Sequence, residues 1–164
     1  MDAELAELSA ALGLACQAKG VVIATAESCT GGWVAQLITH TAGSSAWFDR
    51  GFVTYSNDAK TDMLDVPVEL IARHGAVSLE VAAEMARGAL KNSKATVALA
   101  ITGIAGPTAS PGKPVGTVCF AWIATDQQAT SETRHFTGSR EDVRRQAVKH
   151  SLHGLLAKLA NLPG

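Results

Sequence analysis

The chain has 164 residues, 47% hydrophobic and 18% charged, and 14 Lys plus Arg against 15 Asp plus Glu give a net charge of −1. That length suits one domain, residues 1–164, and leaves no room for two ordinary ones. The hydrophobic share excludes a disordered chain, and the balanced charge argues against a general nucleic-acid or anionic-membrane binder. No apolar run approaches the roughly 18 residues of a membrane span. Asp2, Glu4, Glu7 and Lys19 near the start are unlike a signal peptide. Cys16, Cys29 and Cys119 are odd in number and lack C-x-x-C spacing, which points to a reducing cytoplasm and away from a disulfide framework or cysteine zinc site. These features describe a soluble cytoplasmic domain.

Leu5, Leu8, Leu12 and Ala15 recur at helical spacing, and Gly20 supplies the stop. The β-branched run at 21–24 predicts a buried strand. After the small-residue turn Ser28-Cys29-Thr30-Gly31-Gly32, residues 33–38 read as a helix, the opening of an α/β unit. Residues 51–55 predict a second strand and 57–64 a short helix with Asn57 placed to cap it. Pro67 begins the next helix and His74-Gly75 ends it; Ser78 then caps a helix from Leu79 to about Leu90 with an acidic first turn. Residues 95–101 are apolar on both faces, as in a central strand. Strands at 116–124 and 129–136, separated by only four polar residues, suggest an antiparallel hairpin. Ser139 and Asp142 form an S-x-x-D capping box before a last helix carrying Val143, Ala147, Leu152, Leu155, Leu156 and Leu159. This order predicts a single three-layer α/β/α domain with a mixed, mostly parallel sheet of about five strands.

In open α/β sheets ligands collect at the strand ends, and three segments place small or polar residues there. In the first, Ser28 sits between a strand and a helix N-terminus, where the backbone N–H groups that follow would stabilise an oxyanion if Ser28 attacked a carbonyl. The same residues also suit a plain helix cap, and no G-x-S-x-G elbow is present. The second segment holds Tyr55, the only tyrosine, and Lys60. A lysine serves as a base for serine if its pKa falls well below about 10.4, although a solvated surface lysine is the commoner case. The third, Thr102-Gly103-Ile104-Ala105-Gly106-Pro107, allows close backbone approach to an anion but is neither a Walker loop nor a dinucleotide fingerprint. Arg140, with Arg144 a turn later, offers a fork of donors to phosphate or carboxylate. His150 and His153 share a helix face without an acidic or cysteine partner at metal-ligand spacing, and the three tryptophans read as packing residues.

Six motifs stand in register along nearly the whole chain: residues 26–32, then 51–57 with Lys60, Gly75-Ala76-Val77-Ser78, residues 102–107, Lys113-Pro114-Val115-Gly116-Thr117-Val118, and Phe136-x-Gly138-x-Arg140. Together they resemble the CinA C-terminal-domain family, the nicotinamide-nucleotide amidohydrolases. Longer members carry a further N-terminal domain, so the resemblance is to the stand-alone form. It implies hydrolysis of the carboxamide of nicotinamide mononucleotide to nicotinate mononucleotide and ammonia, a step of pyridine nucleotide salvage. It also implies Ser28 as nucleophile, Lys60 as its base and Tyr55 assisting. Thr30, Gly31, Thr102, Gly103, Ala105, Gly106 and Arg140 fall at substrate-binding positions. The implied partner is a small nucleotide, with no metal or organic cofactor, no nucleic acid and no membrane; a homo-oligomer is compatible with the resemblance. One stretch departs from the family pattern: Thr108-Ala109-Ser110-Pro111-Gly112 stands where members are often glycine-rich, a stiffer loop that bears on closure and specificity. Two other readings suit the residues, a non-catalytic nucleotide-binding module and a serine amidohydrolase acting on another small amide.

Overall fold

Polar residues just ahead of the first turn set most of the helix starts in the computed structural model, which describes residues 1–163. Asp2 accepts from the N–H groups of Glu4 and Leu5 to open α1 (Ala3–Lys19), which Gly20 closes in the left-handed region. The next elements are β1 (Ile23–Glu27), α2 (Trp33–His40), a short 3-10 turn, and β2 (Phe48–Val53). They lead into α3 (Asn57–Leu64), α4 (Val68–His74) and α5 (Leu79–Lys91). The chain ends with β3 (Val97–Gly103), β4 (Thr117–Ala124), β5 (Thr130–His135) and α6 (Arg140–Ala160). Ser78 caps α5 and the Ser139–Asp142 box caps α6, both as expected. The cap of α3 is Ser56 rather than Asn57. Ser56 is still extended and its hydroxyl accepts from Ala59 N–H, whereas Asn57 is already the first helical residue.

The sheet runs β2-β1-β3-β4-β5. Strand β1 is parallel to β2 and β3, and β4 is antiparallel to β3 and β5, so four of the five strands point the same way. Helices α1, α2 and α6 cover one face over a core that includes Leu12, Ile23, Leu37, Leu99, Phe120 and Leu152. On the other face Leu64 of α3, Ile71 of α4 and Val81 and Met85 of α5 meet Ala24, Ala26, Ala98, Ala100 and Ala121. Small residues on that face let α5 lie close to the strands. Among the described residues no helix is long and apolar enough to cross a membrane.

The strand boundaries differ from expectation in an informative direction. Strand β1 continues to Glu27 and β3 to Gly103, beyond the apolar runs that announced them, because Glu27 pairs with Ile101 and Gly103 with Val118 in the ladder. Strand β2 begins at Phe48 and stops at Val53, short of the expected end at Tyr55. Thr54 keeps its N–H bond to the Glu27 carbonyl, but the carbonyls of Thr54 and Tyr55 turn to a side-chain donor described below.

Helix α5 crosses the end of α3 at backbone contact. A Cβ on Gly88 would lie 2.0 Å from the Leu64 carbonyl oxygen, and no flexible side chain is available to yield. We expect Gly88→Ala to lower the unfolding free energy by about 1–3 kcal/mol in a urea titration, the usual cost of forcing extra atoms into a packed interior. An unchanged midpoint would contradict this packing.

Candidate active site

The crossover from β1 to β2 runs through α2 on one face of the sheet, and the return from β2 to β3 runs through α3–α5 on the other. From β1 the chain moves to β2 and from β3 it moves the other way, to β4, so the connections leave neighbouring strands β1 and β3 in opposite directions along the sheet. Their carboxyl ends flank a crevice, the place where open α/β sheets bind ligands. A cleft of about 300 Å³ opens there, lined by Ser28, Cys29, Tyr55, Val77, residues 103–108, Ser110 and Arg140.

At its floor, Ser28 and Lys60 form a direct pair. Lys60 Nζ lies 2.9 Å from Ser28 Oγ, 3.0 Å from the Thr54 carbonyl oxygen and 3.2 Å from that of Tyr55. Lys60 is 1% exposed and Ser28 7%, so neither is a surface side chain. All three partners of the amine are uncharged oxygens. Burial without a carboxylate therefore disfavours the ammonium and pushes Lys60 from 10.5 down to about 8. As ammonium, Lys60 donates to all three oxygens. Having lost one proton, it keeps two N–H groups for the carbonyls and turns a lone pair toward the Ser28 hydroxyl. That is the geometry of a serine with its general base. The adjacent Cys29 is no rival nucleophile, since burial pushes its thiol up to about 12.

The turn that presents Ser28 is held from inside. Glu27, 1% exposed, accepts from the Thr30 hydroxyl at 2.6 Å and from the N–H groups of Gly32, Val34 and Ala35 at 3.2, 2.9 and 3.0 Å. The carboxylate thus closes the N-terminus of α2, where its charge complements the helix dipole. Gly32 makes the turn possible with φ 105°, a conformation L side chains rarely adopt. From α6, Arg144 donates to the carbonyls of Cys29 at 3.1 Å and Thr30 at 3.4 Å. Gly31 N–H is bonded to the Ser28 carbonyl. Among the described residues, the N–H groups of Cys29 and Thr30 are left without an acceptor, and they are the donors next to the serine.

The structure brings Ser28, Lys60, Gly103, Ala105, Gly106 and Arg140 together and places other expected residues differently. Tyr55 touches the pair through its backbone carbonyl; the residue is 63% exposed, and its hydroxyl accepts from Arg140 at 3.3 Å. Thr30 and Thr102 do not line the cleft, because inward acceptors engage their hydroxyls: Glu27 for Thr30, and the Ala76 carbonyl at 2.8 Å for Thr102. Gly31 also lies off the cleft wall, with its N–H engaged. Arg144 is not a free anion fork, since it holds the turn that carries Ser28. Arg140 donates to the Gly106 carbonyl at 2.6 Å as well as to Tyr55, spanning the cleft mouth. His150 does meet an acid, Glu132 of β5, and packs against Phe120 and Trp122. No group of three or more metal-ligating side chains gathers among the described residues.

Four positions acquired roles only in three dimensions: Glu27 and Arg144 as supports of the turn, and the carbonyls of residues 54 and 55 as partners of Lys60. The conjunction of acid and glycines in Glu27-Ser28-Cys29-Thr30-Gly31-Gly32 was the one available signal for Glu27.

Fold and cleft together define an open α/β domain with a buried serine–lysine pair at its switch point. The chain belongs to the CinA C-terminal domain family, whose profile matches residues 5–159. It is 54% identical over 155 residues to the nicotinamide-nucleotide amidohydrolase PncC of Escherichia coli K12, covering 94% of each chain. Among solved structures it superposes on the competence/damage inducible protein CihA of Agrobacterium tumefaciens with a TM-score of 0.93 at 43% identity, covering 98% of both chains. The competence damage-inducible protein A of Klebsiella pneumoniae MGH 78578 gives a TM-score of 0.94 at 39% identity, covering 97% of this chain and 99% of that one.

Replacing one oxygen acceptor of Glu27 by an amide donor leaves a helix N–H facing another N–H. Glu27→Gln is expected to lower stability by about 1.5–3 kcal/mol, the range for a hydrogen bond to a charged group. Chemical denaturation measures it, and a wild-type midpoint would contradict the role given to Glu27.

Proposed function

We propose that this chain hydrolyses the carboxamide of nicotinamide mononucleotide to nicotinate mononucleotide and ammonia through a serine acyl-enzyme, as a step of pyridine nucleotide salvage in the cytoplasm. The whole chain, residues 1–164, serves as the single catalytic domain. The substrate is a small nucleotide, and the chemistry calls on no cofactor, nucleic acid or membrane. The observation that carries the reading is the 2.9 Å contact between Lys60 Nζ and Ser28 Oγ at the floor of the cleft. The name of the Escherichia coli relative supports the choice of amide.

The steps balance on these side chains. Neutral Lys60 takes the Ser28 proton as Oγ adds to the amide carbon, and the N–H groups of Cys29 and Thr30 receive the oxyanion. Collapse breaks the carbon–nitrogen bond while the Lys60 ammonium gives its proton to the leaving nitrogen, so ammonia departs and a seryl ester remains. Water then attacks the ester with Lys60 again taking the proton. The ester C–O bond breaks as Lys60 returns that proton to Ser28 Oγ, and the acid leaves as carboxylate, its own proton passing to the released ammonia or to solvent. Arg140 and the free N–H groups of Ala105 and Gly106 supply donors for the anionic end of the substrate. Tyr55 contributes the carbonyl that holds Lys60 and a ring at the mouth.

Two outcomes follow. With nicotinamide mononucleotide, wild type releases ammonia and nicotinate mononucleotide in equal amounts, and Ser28→Ala and Lys60→Met each lose about 10³-fold or more in kcat, as expected for members of one catalytic unit. Binding without release would favour a nucleotide-binding module, and release from another amide alone would move the substrate assignment. The second outcome concerns pH. The base is active when neutral, so log kcat/KM rises with unit slope below the Lys60 pKa and levels off above about 8. A limb at the ordinary lysine value, or activity falling through this range, would contradict Lys60 as base.

A further inference from the structure

Two of the in-register motifs take no part in the chemistry above: Gly75-Ala76-Val77-Ser78 between α4 and α5, and the segment beginning at Lys113. The structure brings them together. Four successive carbonyls, from His74 to Val77, each meet a side-chain donor. Gly75 O accepts from Ser78 Oγ at 2.9 Å, and Ala76 O accepts from Thr102 Oγ1 at 2.8 Å. His74 O accepts from Lys113 Nζ at 3.1 Å, and Val77 O accepts from the same amine. Gly75 leaves the space: a Cβ there would lie 3.3 Å from Lys113 Nζ, and its φ of 81° suits glycine alone.

The donors come from three places. Ser78 is the cap of α5 and its bond to Gly75 stays within the linker, while Thr102 of β3 ties the linker to the sheet. Lys113 instead belongs to the loop that follows β3, which carries Ala105, Gly106, Thr108 and Ser110 into the cleft. Residues 107–112 of that loop are exposed, so apolar burial does little to fix them. Polar anchors must do so. Arg140 holds the near end at the Gly106 carbonyl, and Lys113 holds the far end against residues 74–77. The cleft wall at Val77 and the wall at Ser110 are thereby joined through one ammonium group with donors to match both carbonyls.

We infer that Lys113 is a positioning residue for substrate binding: by bridging the carbonyls of His74 and Val77 it sets the separation of the two cleft walls without touching the reacting atoms. The inference rests on the proposed amidohydrolase reading for its kinetic consequence, and on geometry alone for the staple. The stiff stretch 108–112 then needs no closing movement to form the site, because its end is already tied down.

The test compares full-length wild type with Lys113→Met and Lys113→Arg. Amide hydrogen exchange reads the staple without any substrate. In Lys113→Met, peptides covering residues 74–78 and 104–116 should exchange at least about tenfold faster, while those covering Ser28 and Thr54–Tyr55 stay as in wild type. In the same variant KM for nicotinamide mononucleotide should rise about tenfold or more, kcat should stay within about threefold, and the pH limb set by Lys60 should not move. Lys113→Arg, which retains donors, should lie nearer wild type on both readouts. Unchanged exchange in the two segments overturns the staple. Unchanged KM with a reduced kcat overturns the positioning role. Should wild type fail to hydrolyse the nucleotide, the amidohydrolase reading falls, while the exchange result still decides whether Lys113 joins the walls.

Discussion

The whole site depends on a lysine amine removed from water with only uncharged oxygens to receive it. A carboxylate beside Lys60 would hold it as ammonium and defeat the proposed use as a base. Carbonyls of residues 54 and 55 satisfy its N–H groups while leaving the charged form disfavoured, which brings the group from 10.5 to about 8. The backbone is therefore part of the proposed chemistry. Strand β2 has to release the chain after Val53 so that two consecutive carbonyls face the amine, and α3 has to start at once so that Lys60 reaches back to them.

The second requirement is that Ser28 stay fixed on a turn with two N–H groups open. Glu27 and Arg144 meet it from opposite sides, the first taking the donors of α2 and the second taking the carbonyls of Cys29 and Thr30. An ammonium or guanidinium that binds carbonyls, rather than an acid, recurs around the cleft: Lys60 at residues 54 and 55, Arg144 at 29 and 30, Arg140 at Gly106, Lys113 at His74 and Val77. Cationic side chains here shape loops, and the loops shape the cleft.

Much of the fold was legible because caps and periodicity agree: Gly20, Ser78 and the Ser139–Asp142 box stand where apolar runs begin or end. Strand ends were less legible, since β1 and β3 continue into polar or small residues that the ladder, not hydrophobicity, keeps in place. At the site, the pairing of Ser28 with Lys60 came from motif resemblance, because burial of a lysine leaves no mark in its neighbours. The resemblance placed Thr30 and Thr102 at substrate-binding positions, and the sequence does not tell a hydroxyl that meets a ligand from one that meets an internal acceptor. Their partners, Glu27 and the Ala76 carbonyl, are known only once the chain is folded. Tyr55 shows the same limit in another form, since its identity drew attention to the ring while its backbone does the holding.

The central claim is that Lys60 ionises far below an ordinary lysine, within the range where it can act on Ser28. A titration of protein labelled at the lysine ε-carbons, followed by NMR and with Lys60 assigned by its loss in Lys60→Met, tests it directly. The account predicts a Lys60 midpoint at about 8. A Lys60 midpoint at or above 10.5 would contradict the account, because the amine would then be an ion-paired or solvated ammonium and not a base.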